Sequence, residues 1–125
     1  MRKIKQLNTK IINNKQDLLD AIKTYKKVKG GIVFFDTETT GLNIKYDRPF
    51  LLPWGFLNNK KDTAYVYCVD YDKDKTLFEQ TALTIINLAK QKGLCGHNIK
   101  YDLHMLNNMF MIFSRTVYKF NWVLF

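Results

Sequence analysis

The sequence is poor in the residues that build disulfide scaffolds, linkers and membrane spans. Its two cysteines, Cys68 and Cys95, cannot form a disulfide framework and do not have the spacing of metal ligands. Two prolines and six glycines exclude a collagen-like or linker-rich chain. No apolar run is long enough to cross a membrane, and the basic start Met1–Lys5 lacks the apolar core of a signal peptide. These absences favour a protein of a reducing interior, with no membrane partner.

What is present is the composition of one globular domain with a strong positive charge. Hydrophobic residues make up 46% of the 125 residues and charged residues 25%, which excludes a disordered chain. Twenty Lys and Arg against eleven Asp and Glu give a net charge of +9, which favours nucleic acid as a partner. Arginine occurs only at positions 2, 48 and 115, so the lysine bias of an AT-rich genome is an equally good explanation.

Residues 1–29 predict a strand and a helix that lead into the main fold. Weak alternation from Lys3 to Ile12 predicts the strand. Asn14 is a plausible N-cap for the helix, with Asp17 in its first turn, and Gly30-Gly31 ends it. The remaining pattern predicts strands and helices in the order β-β-β-α-β-α, namely strands at 31–35, 50–57 and 63–69, a helix opened by a Thr76–Glu79 capping box, a strand at Leu94-Cys95, and a helix capped by Asn98 that runs to about Phe110.

The last 17 residues, Met109 to Phe125, are mostly apolar. Thr116 to Phe125 has the composition of a further strand. The chain stops on three hydrophobic residues, which a complete domain would cover. We therefore expect the fold to be interrupted before its last element.

Two acidic residues follow the apolar strand at 31–35. Asp36 and Glu38 are two apart on an extended segment, so they point to the same side. Paired carboxylates are hard oxygen ligands that suit Mg²⁺ or Mn²⁺, although most such pairs are solvated surface charges. Asp102 is a third candidate, near the start of the last helix. Its alternative role is to compensate the helix dipole.

Other polar and aromatic residues favour ordinary roles. His97 and His104 lack the cluster of partners that a zinc site needs. Tyr101 neighbours Asp102 but points elsewhere on the helix, which predicts packing. Four aromatic residues alternate on candidate strands and are expected in the core or on a sheet face, namely Trp54, Phe56, Tyr65 and Tyr67.

Two stretches carry a resemblance to a known family. Phe34–Leu42 (FFDTETTGL) resembles the first motif of the DEDD-type 3′–5′ exonucleases, and Gly96–Leu103 (GHNIKYDL) resembles their second. The Asn-x-Lys-Tyr-Asp form is most similar to the proofreading domain of family A (Pol I-like) DNA polymerases of bacteria or phages. The resemblance spans roughly residues 30 to 110. It implies a ribonuclease H-like three-layer α/β fold, with an exonuclease domain over 30–125 that forms one structural domain with the leader.

The resemblance also implies an activity and a site. The family hydrolyses the phosphodiester at a single-stranded DNA 3′ end with two metal ions, Mg²⁺ or Mn²⁺. By motif match Asp36 would bridge both ions, Glu38 would bind the first and Asp102 would hold the second. Thr39 and Leu42 match positions that contact the terminal nucleotide, and Asn98 matches one that helps to hold the 3′ end. It also implies a cytoplasmic location, in a bacterial cell or a phage-infected host.

The sequence departs from the family in one respect. The family has a third motif, Tyr-x-x-x-Asp or His-x-x-x-Asp, whose Asp completes the metal site. No Asp or Glu follows Asp102 here, and Trp122 stands four residues after Tyr118. We expect this chain alone to be inactive or weakly active, unless a separate chain carrying the rest of the polymerase supplies the missing helix. The alternatives are a non-catalytic remnant that binds nucleic acid or a partner, and an oligoribonuclease-like exonuclease that shares the first motif.

Overall fold

The computed structural model describes residues 4–41, 47–96 and 99–114, which form a mixed sheet and three helices. The elements in chain order are β1 (Gln6–Ile11), α1 (Lys15–Lys27), β2 (Val33–Phe35), β3 (Glu38–Thr39), β4 (Pro49–Leu57), β5 (Thr63–Asp70), α2 (Lys75–Lys92), β6 (Leu94–Cys95) and α3 (Ile99–Ser114). The predicted α/β class is confirmed. The order differs from the predicted one by the short strand β3, which forms because Glu38 and Thr39 pair with the distant strand β4.

The strands lie side by side in the order β1-β5-β4-β2-β6, and β3 pairs with β4. Strand β4 is antiparallel to β2, β3 and β5, whereas β1 runs parallel to β5 and β6 runs parallel to β2. The predicted leader therefore contributes an edge strand to the same sheet. Strands β2 and β6 are parallel neighbours, so their carboxyl ends meet at one edge of the sheet, where the first and second motifs begin.

The helices pack on one face of the sheet, around a core rich in aromatic rings. Trp54 stacks on Tyr67 with ring centroids 4.8 Å apart, and Phe56 stacks on Tyr65 at 5.4 Å. These are directly paired residues of β4 and β5, so all four rings share one face. Residues of all three helices join the same cluster, among them Leu18, Phe78 and Leu106. The predicted packing role of these aromatic residues is confirmed.

A second helical layer, which the expected three-layer fold would have, is not seen in residues 4–41, 47–96 and 99–114. The core cluster draws its sheet residues from the face that carries Trp54 and Phe56. The opposite face carries Phe34 and Val66, which are only half-buried. The described part of the chain therefore has one helical layer over one sheet. Within it, no helix is long and apolar enough to cross a membrane.

The helix ends show one correct and one incorrect prediction. Asn14 caps α1, because its side chain accepts a hydrogen bond from the backbone N–H of Asp17 at 2.9 Å. For α2 the predicted capping box at Thr76–Glu79 is wrong. The N-cap is Asp74, which accepts from the backbone N–H of Leu77 at 2.9 Å. Asp74 lies three residues before Leu77, the spacing at which a capping side chain reaches the N3 amide.

The capping of α2 can be tested by substitution. We expect Asp74→Ala to lower the free energy of unfolding by about 1 kcal/mol, because it removes the acceptor for the Leu77 amide. Thr76→Ala, at an exposed position inside the helix, should change it by less than about 0.5 kcal/mol. Urea denaturation followed by circular dichroism measures both. A larger loss for Thr76→Ala than for Asp74→Ala would restore the capping box.

The C-terminal part differs from its prediction in helix length. Helix α3 continues to Ser114 rather than ending near Phe110. No glycine or proline interrupts the residues from 99 to 114, so nothing in the local sequence ends the helix sooner. The predicted strand at Thr116–Phe125 lies outside the described residues.

Candidate active site

The first motif begins where β2 ends. Asp36 follows Phe35 directly and is exposed, and its backbone N–H donates to the carbonyl oxygen of Pro53 at 3.0 Å. Thr37 is buried, and Glu38, in β3, is exposed again. This alternation keeps the predicted geometry, in which the two carboxylates lie on the same side of an extended segment. The Asp36 carboxylate also accepts a hydrogen bond from the backbone N–H of Thr37 at 2.8 Å.

The second motif reaches the first through a buried hydrogen bond. Asp102 is 2% exposed and lies in the first turn of α3. The Thr37 hydroxyl donates to Asp102 Oδ1 at 2.5 Å, which joins residues 65 positions apart. Asp102 is therefore more than a surface acid that compensates the helix dipole. The residue between Asp36 and Glu38 holds it next to the first motif.

Tyr101 has a role that the sequence did not suggest. Its hydroxyl donates to the carbonyl oxygen of Gly41 at 3.0 Å and lies 2.9 Å from the Thr39 hydroxyl. The hydroxyl of this half-buried residue therefore makes hydrogen bonds that the predicted packing role did not include. The Tyr101 side chain points away from that of Asp102, as expected for neighbours on a helix. It reaches Gly41, near the end of the first motif. Thr39, a predicted nucleotide contact, is held at the same place, because its hydroxyl also donates to Gly41 O.

Gly96 lies close to both the end of β2 and Asp102. A Cβ at this position would lie 3.1 Å from the Phe35 carbonyl oxygen and 3.4 Å from Asp102 Oδ2. The absence of a side chain lets the chain pass between the end of β2 and the buried carboxylate. Gly96 is the first residue of the second motif, so the sequence already contained this feature. Three predicted or considered residues of the two motifs, Leu42, His97 and Asn98, lie outside the described residues.

The carboxylates have the chemistry of hard-cation ligands, but they do not form a closed metal site. Among the described residues, no group of three or more His, Cys, Asp or Glu side chains is arranged to hold a metal ion. Asp36 and Glu38 offer an exposed pair, whereas Asp102 is buried and engaged with Thr37. The predicted meeting of the three acids around a metal ion therefore stays a prediction, and the contact that the structure shows between the two motifs is the one from Thr37 to Asp102.

Arg48, a basic residue near this site, already contacts other side chains. The Arg48 guanidinium carbon lies 3.8 Å from the ring centroid of Tyr71, and Nη2 lies 3.8 Å from Asp72 Oδ1. A cation above an aromatic face is stabilised by the ring quadrupole. Arg48 therefore supports the segment before β4.

Comparison with known proteins identifies the family. The family model for the 3′–5′ exonuclease domain of family A DNA polymerases matches residues 9–121, which is most of the chain. No curated protein matches the sequence. The match covers both motifs and the β1 to α3 elements between residues 9 and 114. The chain therefore belongs to the 3′–5′ exonuclease family of family A DNA polymerases.

Proposed function

We propose that this chain acts at DNA 3′ ends as the exonuclease domain of a family A polymerase, with Asp36, Glu38 and Asp102 as its acidic residues. The observation that carries the proposal is the hydrogen bond from Thr37 to Asp102, which brings the second motif against the first in a chain of this family. Asp36 and Glu38 present their carboxylates to solvent, where a substrate phosphate and its counterions would arrive.

In this proposal the acidic residues bind metal ions, and Thr39 contacts the nucleotide. Divalent ions, when bound, supply an activated water and stabilise the leaving oxygen. Asp36 and Glu38 would be the ligands that an arriving Mg²⁺ or Mn²⁺ meets first, because hard cations prefer carboxylate oxygens. Thr39, fixed by Tyr101 and Gly41, would contact the terminal nucleotide, with Leu42 and Asn98 completing the contact. The proposed substrate is the 3′ end of single-stranded DNA, as membership of the 3′–5′ exonuclease family implies.

We expect a polypeptide of these 125 residues to release nucleotides slowly by itself. It contains no acidic residue after Asp102, so the described carboxylates would work without a fourth ligand or a group that orients the water. Such assistance contributes about 10²–10⁴ in rate. The assay is release of nucleotide from a 3′-labelled single strand with Mg²⁺ or Mn²⁺. Strong release that Asp36→Ala abolishes would contradict the low activity while supporting the nuclease assignment.

Metal binding tests the site independently of turnover. We expect Asp36→Asn to weaken Mn²⁺ binding, followed by electron paramagnetic resonance, by about tenfold or more, since even indirect ligand partners contribute about 10–100-fold. Asp20→Asn is the matched control, because Asp20 is a half-buried carboxylate on α1, outside both motifs. Equal Mn²⁺ affinity of the parent chain, Asp36→Asn and Asp20→Asn would contradict a role of Asp36 in metal binding.

A non-catalytic role is the second candidate, and the lack of a three-acid cluster among the described residues favours it. In that case the basic chain, with its net charge of +9, would bind a DNA end or a partner without cleaving. Binding of a labelled single strand that is unchanged by Asp36→Asn and Mn²⁺, together with no release of nucleotide, would favour this reading.

A further inference from the structure

Two stretches of the chain meet just after Thr39. The backbone N–H of Thr40 donates to the Arg48 carbonyl oxygen at 2.9 Å. The Thr40 hydroxyl donates to Asp47 Oδ1 at 3.0 Å and accepts from the Arg48 backbone N–H at 3.2 Å. A Cβ on Gly41 would overlap the Asp47 carboxylate, so the two stretches are in close contact there as well. We call these four residues the junction, namely Thr40, Gly41, Asp47 and Arg48.

Helix α3 contacts the junction at two points. The Tyr101 hydroxyl donates to the Gly41 carbonyl oxygen at 3.0 Å, and the Asn108 side-chain amide donates to the Asp47 carbonyl oxygen at 2.6 Å. Residues seven apart lie on the same face of a helix, two turns or roughly 10 Å from each other. The helix that carries Asp102 therefore binds both stretches of the junction.

Asn108 belongs to neither motif, and its own helix does not require it. Asparagine is unfavourable inside a helix, because its side chain competes for hydrogen bonds with the backbone. At position 108 the amide bonds instead to a residue 61 positions earlier, and the side chain is half-buried. This asparagine is therefore matched to the junction rather than to the formation of α3.

A chain of contacts connects Asn108 to the residue that would touch the nucleotide. Asn108 holds Asp47, and the Asp47 carboxylate accepts from the Thr40 hydroxyl. Thr40 directly follows Thr39, whose hydroxyl lies 2.9 Å from that of Tyr101. The position of Thr39 is thus determined by α3 twice, directly through Tyr101 and indirectly through the junction.

We propose that Asn108 is a positioning residue for the 3′-terminal nucleotide, a role that rests on the proposed function. Its hydrogen bond keeps the junction against α3, and the junction keeps Thr39 in place. Loss of this bond would let the junction shift relative to α3, and Thr39 would shift with it. A misplacement of about 1 Å, from a change far from the reacting atoms, can cost about 10²-fold in rate.

The acidic residues do not depend on this contact. Asp36 and Glu38 precede Thr39 in the chain, and Asp102 is held by the Thr37 hydroxyl in the first turn of α3. Asn108 lies six residues further along the helix. Its removal should therefore affect the DNA end and leave metal binding unchanged.

Binding of single-stranded DNA with and without an end tests the proposal on the 125-residue chain. The probes are one labelled single strand in linear and in circular form, measured by fluorescence anisotropy in Mg²⁺. Only the linear form has a 3′ terminus, whereas the basic chain attracts the phosphates of both. We expect Asn108→Leu to weaken binding of the linear strand about five- to tenfold, as for one lost hydrogen bond, and binding of the circular strand less than about twofold.

Two further variants make the comparison specific. Asn87→Leu is the matched control, because Asn87 is an exposed asparagine inside α2, and it should leave both affinities unchanged. Thr40→Val removes the hydroxyl that bonds to Asp47 and Arg48, so it should cause the same selective loss as Asn108→Leu. Since both changes act on one junction, the double variant should bind the linear strand less than about twofold more weakly than the weaker single variant. Thr40→Val also tests the junction if Asn108→Leu does not fold.

Slow turnover gives an independent readout. In release of nucleotide from a 3′-labelled strand, Asn108→Leu should raise KM about five- to tenfold and change kcat less than about threefold, because a contact made equally before and during the reaction affects KM. Asp36→Asn should lower kcat instead. The Mn²⁺ affinity of Asn108→Leu should equal that of the parent chain.

The outcomes separate the role of Asn108 from the proposed function. If the parent chain prefers the linear strand and Asn108→Leu keeps that preference, then the positioning role is overturned and the proposed function stands. Equal losses for the linear and circular strands would also overturn it, because Asn108 would then support the fold as a whole. A parent chain that binds both strands equally would overturn the proposed action at 3′ ends, and the role of Asn108 with it.

Discussion

Gly55→Ala is expected to destabilise the fold by about 3 kcal/mol or more, because the added methyl group has no space. Gly55 lies in the middle of β4, between Phe34 of β2 and Val66 of β5. A Cβ there would overlap the carbonyl oxygen of Tyr65 and would lie 2.8 Å from the Phe34 ring. The oxygen belongs to the backbone of the sheet, so relief requires β4 and β5 to separate. Urea denaturation followed by tryptophan fluorescence measures the loss.

Gly31→Ala is the matched control for this substitution. A Cβ at Gly31 would meet no atom within 4 Å, so we expect the free energy of unfolding to change by less than about 0.5 kcal/mol. Gly55→Ala should therefore shift the urea midpoint strongly, and Gly31→Ala should leave it near that of the parent chain. Equal midpoints for the two variants would show that β4 and β5 adjust around a methyl group.

Elements that depend on local sequence were predicted well. The helical spacing of apolar residues and the Asn14 side chain defined α1, and the apolar run before Asp36 defined β2. The alternation on β4 and β5 placed Trp54 and its neighbours in the core. These features follow from side chains within a few residues of one another. The two-residue strand β3 was not predicted, since its pairing with Leu51 and Pro49 of β4 is not encoded in its own sequence.

Contacts across the site were harder to predict. Motif resemblance indicated that Asp102 belongs near Asp36 and Glu38, but the connecting group, Thr37, looked like a spacer between two acids. Tyr101 likewise looked like a packing residue, although its hydroxyl contacts Gly41 sixty positions earlier. Both bonds depend on how α3 docks against the sheet. Local periodicity carries no information on that docking, which the tertiary fold decides.

Thr37→Val is expected to lower the free energy of unfolding by about 1–3 kcal/mol. Valine keeps the shape of threonine but removes the hydroxyl that donates to the buried Asp102 carboxylate. Removing the donor of a buried hydrogen bond costs about that amount. Thr37→Ser keeps the hydroxyl and loses a methyl group, so it should retain more of the stability than Thr37→Val. Urea denaturation of the three proteins gives the comparison.

Amide hydrogen exchange can distinguish a local loosening of α3 from a loss of stability of the whole fold. The hydrogen bond from the Thr37 hydroxyl to Asp102 holds α3 to the first motif, and so do the hydrogen bonds of the Tyr101 hydroxyl. In Thr37→Val the amides of α3 should therefore exchange faster than in the parent chain by a larger factor than the amides of α1, because local opening of α3 no longer breaks this bond. Equal acceleration in both helices would mean that Thr37 stabilises the whole fold without anchoring the second motif. If only α3 responds, then the position of Asp102 against the first motif depends on Thr37, the residue that separates Asp36 from Glu38.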